Sequence, residues 1–345
     1  MPASADRLGG TVLVTWIDFA EDDPQVGGAL RDAGLELRLA PKHGARTPAQ
    51  LLELLDGAVA AIVSTDPFDR WVLERAPRLR VIARVGVGTD SVDVEAATEL
   101  GVAVTTTPGA NNETVADHTL AVMLAAVRRV VEHDAGVRRG EWIRAGDRTP
   151  WELNGATVGI VGMGAIGRAV ARRLEGFDAR ILVSDPALAD AAPYEAAPLD
   201  ELLARSDVVT LHLPLTPATR HLIDACRIGL MRPDAILVNT SRGGLLDEAA
   251  LADALAAGRL RAAALDVFEH EPLGDDRLRA LPNVVLSPHV GGLSESSIAA
   301  MTRQAVHSVL AVLRGQEAPT VINPAALGVA RRDPAEAAAV GEGAA

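Results

Sequence analysis

The stretch Thr157 to Asp185 reads TVGIVGMGAIGRAVARRLEGFDARILVSD, and its pattern decides the fold. Thr157 to Val161 is a short apolar, β-branched run that ends at Gly162, and Gly162, Gly164 and Gly167 then give the spacing G-x-G-x-x-G. An amphipathic helix is expected next, with Ile166, Val170 and Leu174 on one face and Arg168, Arg172 and Arg173 left for solvent. A second strand, Arg180 to Ser184, ends at Asp185.

Each part has a physical job if a dinucleotide binds here. Gly162 allows the tight turn, Gly164 leaves no side chain between backbone and pyrophosphate, and Gly167 lets helix and strand pack closely. The phosphates then sit at the positive N-terminus of the helix, beside Ala165 and Ile166. Asp185, 23 residues after Gly162, can accept hydrogen bonds from the adenosine ribose hydroxyls. A carboxylate there would repel a 2′-phosphate, and residues 181 to 188 hold no Lys or Arg to offset it, so NAD is favoured over NADP. The bland alternative is a glycine-rich turn in an ordinary β-α unit. Strand, helix, second strand and terminal acid together favour nucleotide binding.

Upstream of this unit, strands and helices alternate. Strands are expected at Thr11 to Ile17, Leu35 to Leu39, Ala58 to Val63, Arg80 to Arg84 and Val102 to Thr105, with helices at 24 to 33, 48 to 55, 68 to 76 and 94 to 99. Such alternation implies a parallel sheet covered on both faces. Residues 111 to 139 are helical in pattern and unusually long, a natural bridge between domains, and Gly140 to Asn154 reads as a loop. Downstream come a helix near Leu199 to Ala204, strands at Val208 to Leu211 and Ala235 to Asn239, a helix at 247 to 257, and strands at Ala262 to Leu265 and Val284 to Leu286. Ser294 to Leu313 is a long amphipathic helix expected to return to the first domain. The first ten residues and the Ala- and Gly-rich residues 325 to 345 are expected to be loose.

At 345 residues the chain has room for two domains. A formal net charge of −13 argues against nucleic acid, whose binding depends on clustered Lys and Arg. Small anionic substrates are not excluded, because they meet the local field of a cleft. The single Cys226 supports neither a disulfide framework nor a CxxC metal site and fits a reducing cytoplasm. No apolar run approaches the ~20 residues of a membrane span.

Three polar residues follow strands, where an α/β sheet presents its carboxyl edge to ligands. Arg242 lies in NTSRGG (239 to 244), Glu271 in DVFEHEP (266 to 272) and His289 in SPHVGG (287 to 292). A nicotinamide dehydrogenase acting on a 2-hydroxy acid needs a cation for the acid group, and the planar fork of Arg binds carboxylate bidentately. It also needs a proton carrier for the reacting oxygen, which suits His. A carboxylate beside that His favours its protonated form, a role for Glu271. Taken singly, each of the three could be structural, and His118, His212, His221 and His270 are rivals for the proton carrier.

These motifs in this order resemble the D-isomer-specific 2-hydroxyacid dehydrogenase family, of the phosphoglycerate dehydrogenase type. The resemblance runs from about Ala58 to Asn323 and includes RVGVGTDSVD (84 to 93), PGANNETVADHTLAVML (108 to 124), VGIVGMGAIG (158 to 167), LHLPLTPAT (211 to 219), NTSRGGLLDEAAL (239 to 251), ALDVFEHEP (264 to 272) and SPHVGG. It implies an α/β protein with two Rossmann-like, doubly wound parallel-sheet domains: a discontinuous, flavodoxin-like substrate domain and an inserted NAD-binding domain. Their implied bounds are 1 to 107 with the helix of 290 to 324 for the first, and 108 to 289 for the second, with hinges near 106 to 110 and 290 to 293. It implies Arg242 as the carboxylate binder, His289 as the acid/base and Glu271 as its partner. Backbone groups of Val85, Gly86, Val87 and Gly88 would line the substrate, Asp266 and the carbonyl of Thr240 would hold the nicotinamide carboxamide, and His212, Pro214 and Thr219 would flank the adenosine. It also implies a homodimer through the cofactor domains, near the long helix and the loop with Trp142 and Trp151.

Substrate identity stays open at this level. A phosphate- or phosphonate-bearing substrate needs an extra cation, for which Arg84, Arg70 or a partner subunit's copy of Arg144 is a candidate, whereas glyoxylate or hydroxypyruvate needs none. Ser91 stands where the family commonly has Asn. An NAD-sensing corepressor-like binding protein is the alternative of another class.

Overall fold

The computed structural model describes residues 7–42, 44–144, 149–188, 190–274 and 276–329. The chain divides into two compact units, Met1–Asn111 with Ser294–Ala345, and Asn112–Leu293. The expected loose residues 1 to 6 and 330 to 345, and residues 145 to 148 of the expected loop, lie outside the described residues.

The first unit is built on β1 (Thr11–Val14), β2 (Glu36–Leu39), β3 (Ala58–Val63), β4 (Val81–Arg84) and β5 (Ala103–Thr105), in the sheet order β2-β1-β3-β4-β5. All four pairings are parallel. That is the flavodoxin-like order, with its switch point between β1 and β3. Side chains alternate between two apolar layers, as a strand period of two dictates. Val12, Val14, Ala60, Ile62, Val81 and Ala83 enter one layer, and Leu13, Ala61, Val63 and Ile82 the other.

Helices α1 (Ala29–Asp32), α2 (Pro48–Leu54), α3 (Arg70–Arg75) and α4 (Val94–Glu99) connect the strands. Local chemistry starts them: Thr47 and Gln50 form a capping box with Pro48 in the first turn of α2, and Asp69 and Asp93 cap α3 and α4. The long C-terminal helix, α12 (Glu295–Leu313), packs Met301, Ala305, Val306 and Val309 into the first layer. Asn323 then accepts from the Val104 amide at 2.7 Å. Residues 325 to 328, expected to be loose, instead belong to a 3-10 turn, Pro324–Gly328, because Ala326 is buried against this unit.

The second unit carries β6 (Thr157–Val161), β7 (Arg180–Ser184), β8 (Glu195–Ala196), β9 (Val208–Leu211), β10 (Ile236–Asn239), β11 (Ala262–Leu265) and β12 (Val284–Leu286). The order is β12-β11-β10-β9-β6-β7-β8, all parallel. Strand order reverses between β6 and β9, which makes that crevice the switch point of a Rossmann sheet. One face is covered by α5 (Asn112–Val127) and α7 (Ala165–Glu175), with Leu120, Met123, Val170 and Leu174 packed on Val158 and Ile160. The other is covered by α8 (Leu199–Arg205), α9 (Ala225–Leu230) and α10 (Glu248–Ala256), packed on Val161, Val209 and Leu211. A short helix, α11 (Asp276–Ala280), leads into β12 and buries Leu278 in the same layer.

The helix expected over 111 to 139 is broken. It ends at Val127 and resumes as α6 (Val130–Arg138), with Arg129 left-handed at φ 53°. The Val127 carbonyl, which a continuous helix would give to Val131, accepts instead from the Trp151 amide at 3.4 Å. Two of the arginines expected to face solvent on α7 are used: Arg173 reaches Asp117 at 2.6 Å and Glu113 at 2.8 Å on α5, and Arg172 reaches Glu113 at 2.9 Å. Such exposed pairs fix register between the helices more than they add stability.

Candidate active site

The glycine turn after β6 has the space that its spacing demands. Gly162 has φ +93°, and a Cβ there would lie 2.4 Å from the His212 carbonyl oxygen. At Gly167 a Cβ would lie 2.2 Å from the Gly162 carbonyl oxygen, so only glycine lets α7 approach β6 this closely. Gly164 is the reverse case: nothing lies within 4 Å of where its Cβ would point. It is also the N-cap of α7 and offers no side-chain cap, which leaves the amides beside Ala165 and Ile166 for an anion. The residues present therefore fit a dinucleotide pyrophosphate.

Asp185 closes the far side of this cradle. Its carboxylate accepts from the Met163 amide and the Ala187 amide, both at 2.8 Å. Those bonds hold it at the end of β7 with acceptor capacity left for ribose hydroxyls. Across the switch point, His212 follows β9, with its amide donating to Val161 and its ring 3.0 Å from the Thr210 hydroxyl. Burial pushes its pKa down to about 3, so it is neutral and cannot serve as a proton donor near pH 7. Thr219 donates to the Pro214 carbonyl at 2.8 Å, closing the loop that follows.

Arg242, Glu271 and His289 come from the ends of three neighbouring strands, β10, β11 and β12. Arg242 is half-buried and donates to the Ser241 carbonyl at 2.7 Å, while Asn239 holds the Arg242 carbonyl at 2.8 Å. The next residue explains the double glycine: a Cβ on Gly243 would lie 1.8 Å from the Phe268 carbonyl carbon. The Arg242 loop is thus pressed against the segment that leads to Glu271. Glu271 accepts from the Phe268 amide at 3.1 Å through one oxygen and faces His289 Nδ1 at 2.7 Å through the other.

His289 is left-handed, at φ +54°, a conformation that costs roughly 1 kcal/mol or more outside glycine. Asp266 holds it there. The Asp266 carbonyl accepts from the His289 amide at 2.8 Å, and its carboxylate takes the amides of Val290 and Gly291 at 3.0 and 2.8 Å and the Ser287 hydroxyl at 2.6 Å. Burial would raise the Asp266 pKa, but the donors from His118, Ser287, Gly291 and Val290 outweigh it and hold the carboxyl below its ordinary value. Sequence reasoning assigned Asp266 only to a ligand and missed this role as the clamp of the His289 loop. A buried aspartate directly after a strand was the available signal.

Three of the four rival histidines are engaged elsewhere: His118 binds Ser287, His212 is buried and neutral, and His221 is paired with Glu269, whereas His270 is exposed. Among the second-cation candidates, Arg70 is held by Glu99 at 2.7 Å. Arg84 is buried, donates to the Val85 carbonyl at 3.1 Å, and has Nη1 1.9 Å from where a Gly86 Cβ would be. Arg144 is exposed. Gly86, at φ +133°, donates its amide to Thr107 at 2.9 Å, which fixes one end of the Val85 to Gly88 loop.

This chain is similar to known proteins. Residues 120–291 match the model of the D-isomer specific 2-hydroxyacid dehydrogenase NAD binding domain. The D-3-phosphoglycerate dehydrogenase of Methanocaldococcus jannaschii is 43% identical over 287 residues, covering 80% of this chain and 54% of that protein. This chain thus spans about half the length of that relative. The glyoxylate reductase of Korarchaeum cryptofilum is 45% identical over 273 residues, covering 76% of this chain and 82% of the relative. A solved structure from Thermus thermophilus is 42% identical, with a TM-score of 0.82 over 90% of this chain and 99% of that one. With the glycine cradle, the two doubly wound sheets and these relatives in hand, the chain belongs to the NAD-dependent, D-isomer-specific 2-hydroxyacid dehydrogenase family of oxidoreductases.

Proposed function

We propose that the protein transfers a hydride between NAD and C2 of a D-2-hydroxy acid or the matching 2-oxo acid, with Arg242, Glu271 and His289 acting on the substrate. The observation that carries this reading is the 2.7 Å bond between Glu271 and His289 at a carboxyl sheet edge whose neighbouring strand ends in Arg242. When bound, NADH supplies the hydride that C2 accepts. His289 then donates a proton to the substrate oxygen from Nε2, since Nδ1 faces Glu271. Glu271, anchored by the Phe268 amide, keeps that ring orientation through its bond to Nδ1. Arg242 takes the substrate carboxylate with its fork, and the backbone of Val85, Gly86, Val87 and Gly88 is the second proposed holder of the acid group.

Gly162, Gly164, Ala165, Ile166 and Gly167 are proposed to hold the pyrophosphate, Asp185 the ribose, and His212, Pro214 and Thr219 the adenosine half. Thr240, through its carbonyl, and Asp266 are proposed for the carboxamide; the Asp266 oxygen that accepts the Gly291 amide keeps capacity for it. Asp185 supports NAD over NADP. The single Cys226 supports a cytoplasmic location, which cell fractionation tests.

The test is oxidation of NADH, with NADPH in parallel, against glyoxylate, hydroxypyruvate, phosphohydroxypyruvate and phosphonopyruvate. Turnover with NADH, and weaker turnover with NADPH, is expected. Turnover confined to the doubly anionic members makes Arg84 the next target, because it is the candidate packed against Gly86. No turnover on any member with either nucleotide counts against the reading.

A second copy of the chain is the proposed partner. Val130, Val131 and Val137 on α6 and the following Trp142 are each more than half exposed, an apolar patch of the kind that marks an interface. Sedimentation at micromolar concentration should give a dimer, and Val131→Glu should shift it towards monomer; a wild-type monomer would sink the proposal.

A further inference from the structure

Two consecutive residues of α5 reach two different loops of the site. His118 Nε2 lies 3.0 Å from the Ser287 hydroxyl and 3.3 Å from Asp266 Oδ1. Thr119 is fully buried, with its hydroxyl 2.7 Å from that of Thr240. The offsets match: Ser287 stands two residues before His289, and Thr240 two residues before Arg242.

Proton counting gives each bond a direction, because a hydroxyl has one proton to donate. The Ser287 proton goes to Asp266 at 2.6 Å, so His118 Nε2–H is the donor at the 3.0 Å contact, shared between the Ser287 hydroxyl and Asp266 Oδ1 at 3.3 Å. The Thr119 proton goes to the Val115 carbonyl at 2.7 Å, so Thr240 donates to Thr119. Both loops are therefore tied to one helix by directed bonds. Asp266, directly after β11 between them, receives the His118-bound Ser287 and clamps the His289 backbone.

We infer that His118 and Thr119 are positioning residues that set, from a single helix, the placement of His289 and Arg242 respectively. The inference rests on the reading that those two residues act on the substrate. His118 is then neither a proton carrier in reserve nor a packing residue alone. It holds Ser287 in the orientation that donates to Asp266, and so holds the left-handed His289.

The test compares His118→Phe, His118→Gln and Thr119→Val with the wild type, reading kcat and KM for the 2-oxo acid, NADH affinity by fluorescence, melting temperature, and the His289 ring signals by ¹⁵N NMR. His118→Phe should lower kcat about tenfold with KM within about twofold, the size of effect that a slight displacement of a catalytic group produces. Thr119→Val should instead raise KM about tenfold with a smaller loss of kcat, because it loosens the carboxylate binder that also fixes C2. His118→Gln, whose amide can still donate to Ser287, should recover most of the lost kcat. The His289 ring signals should move in His118→Phe and stay in place in Thr119→Val.

Equal effects of the Phe and Val variants on both constants, in proportion to their melting temperatures, would mark a structural role and overturn the inference. So would wild-type kinetics together with unmoved His289 signals. Failure of the underlying reading looks different: His289→Ala and Arg242→Ala would keep full turnover. The NMR comparison would still decide whether His118 positions the His289 ring.

Discussion

Replacing His289 with Ala is expected to lower kcat for reduction of a 2-oxo acid by about 10²–10⁴-fold, the range that a positioned acid or base supplies. NADH affinity should hardly change, because the Gly162 to Gly167 turn and Asp185 belong to the opposite end of the cradle. A stability readout separates chemistry from damage. Relief of left-handed strain at φ +54° should leave the variant at least as stable towards heat if Gly replaces His instead of Ala, because glycine adopts that φ freely. Glu271→Gln should fall between wild type and His289→Ala, since the amide can still meet Nδ1 but no longer presents a charged acceptor. Full turnover in His289→Ala would end the assignment.

How far the sequence reveals this arrangement depends on how local each feature is. The bounds of β3, β6, β9 and β11 follow directly from short apolar runs closed by glycine or polar residues, because a parallel strand buried on both faces is continuously apolar. The glycine cradle is equally local, since turn, close approach and helix packing all fall within six residues. The break at Arg129 is not: Val130 and Val131 continue the apolar pattern, yet both are exposed, and the bond that ends α5 comes from Trp151. The two-residue strand β8 and the short helix α9 carry too few residues for a periodic signal. In the site, Arg242, Glu271 and His289 are visible as polar residues after strands. The clamp that holds them is invisible, because His118 meets Ser287 across 169 residues of chain and Thr119 meets Thr240 across 121. Charge and spacing mark the residues proposed to act, whereas the long-range bonds to their loops show only in three dimensions.

The second large effect is expected at Arg242. Arg242→Ala should lower kcat/KM for the 2-oxo acid by about 10²–10³-fold, corresponding to the loss of roughly 3–4 kcal/mol when a bidentate charge pair is truncated. Both kcat and KM should suffer, because the fork binds the acid group in the ground state and also fixes C2 for hydride transfer. Arg242→Lys distinguishes charge from geometry. A lysine keeps the charge but presents a single ammonium point, so it should recover part of the affinity and little of kcat. The loop itself should survive either change, since Gly243 on Phe268 and the Asn239 bond to the Arg242 carbonyl are made by backbone and by neighbours, not by the guanidinium. A melting temperature close to wild type with a collapsed kcat/KM is therefore the signature of a substrate-binding arginine. An Arg242→Ala variant that loses stability and activity in step would instead mark it as a structural cation of the β10 loop.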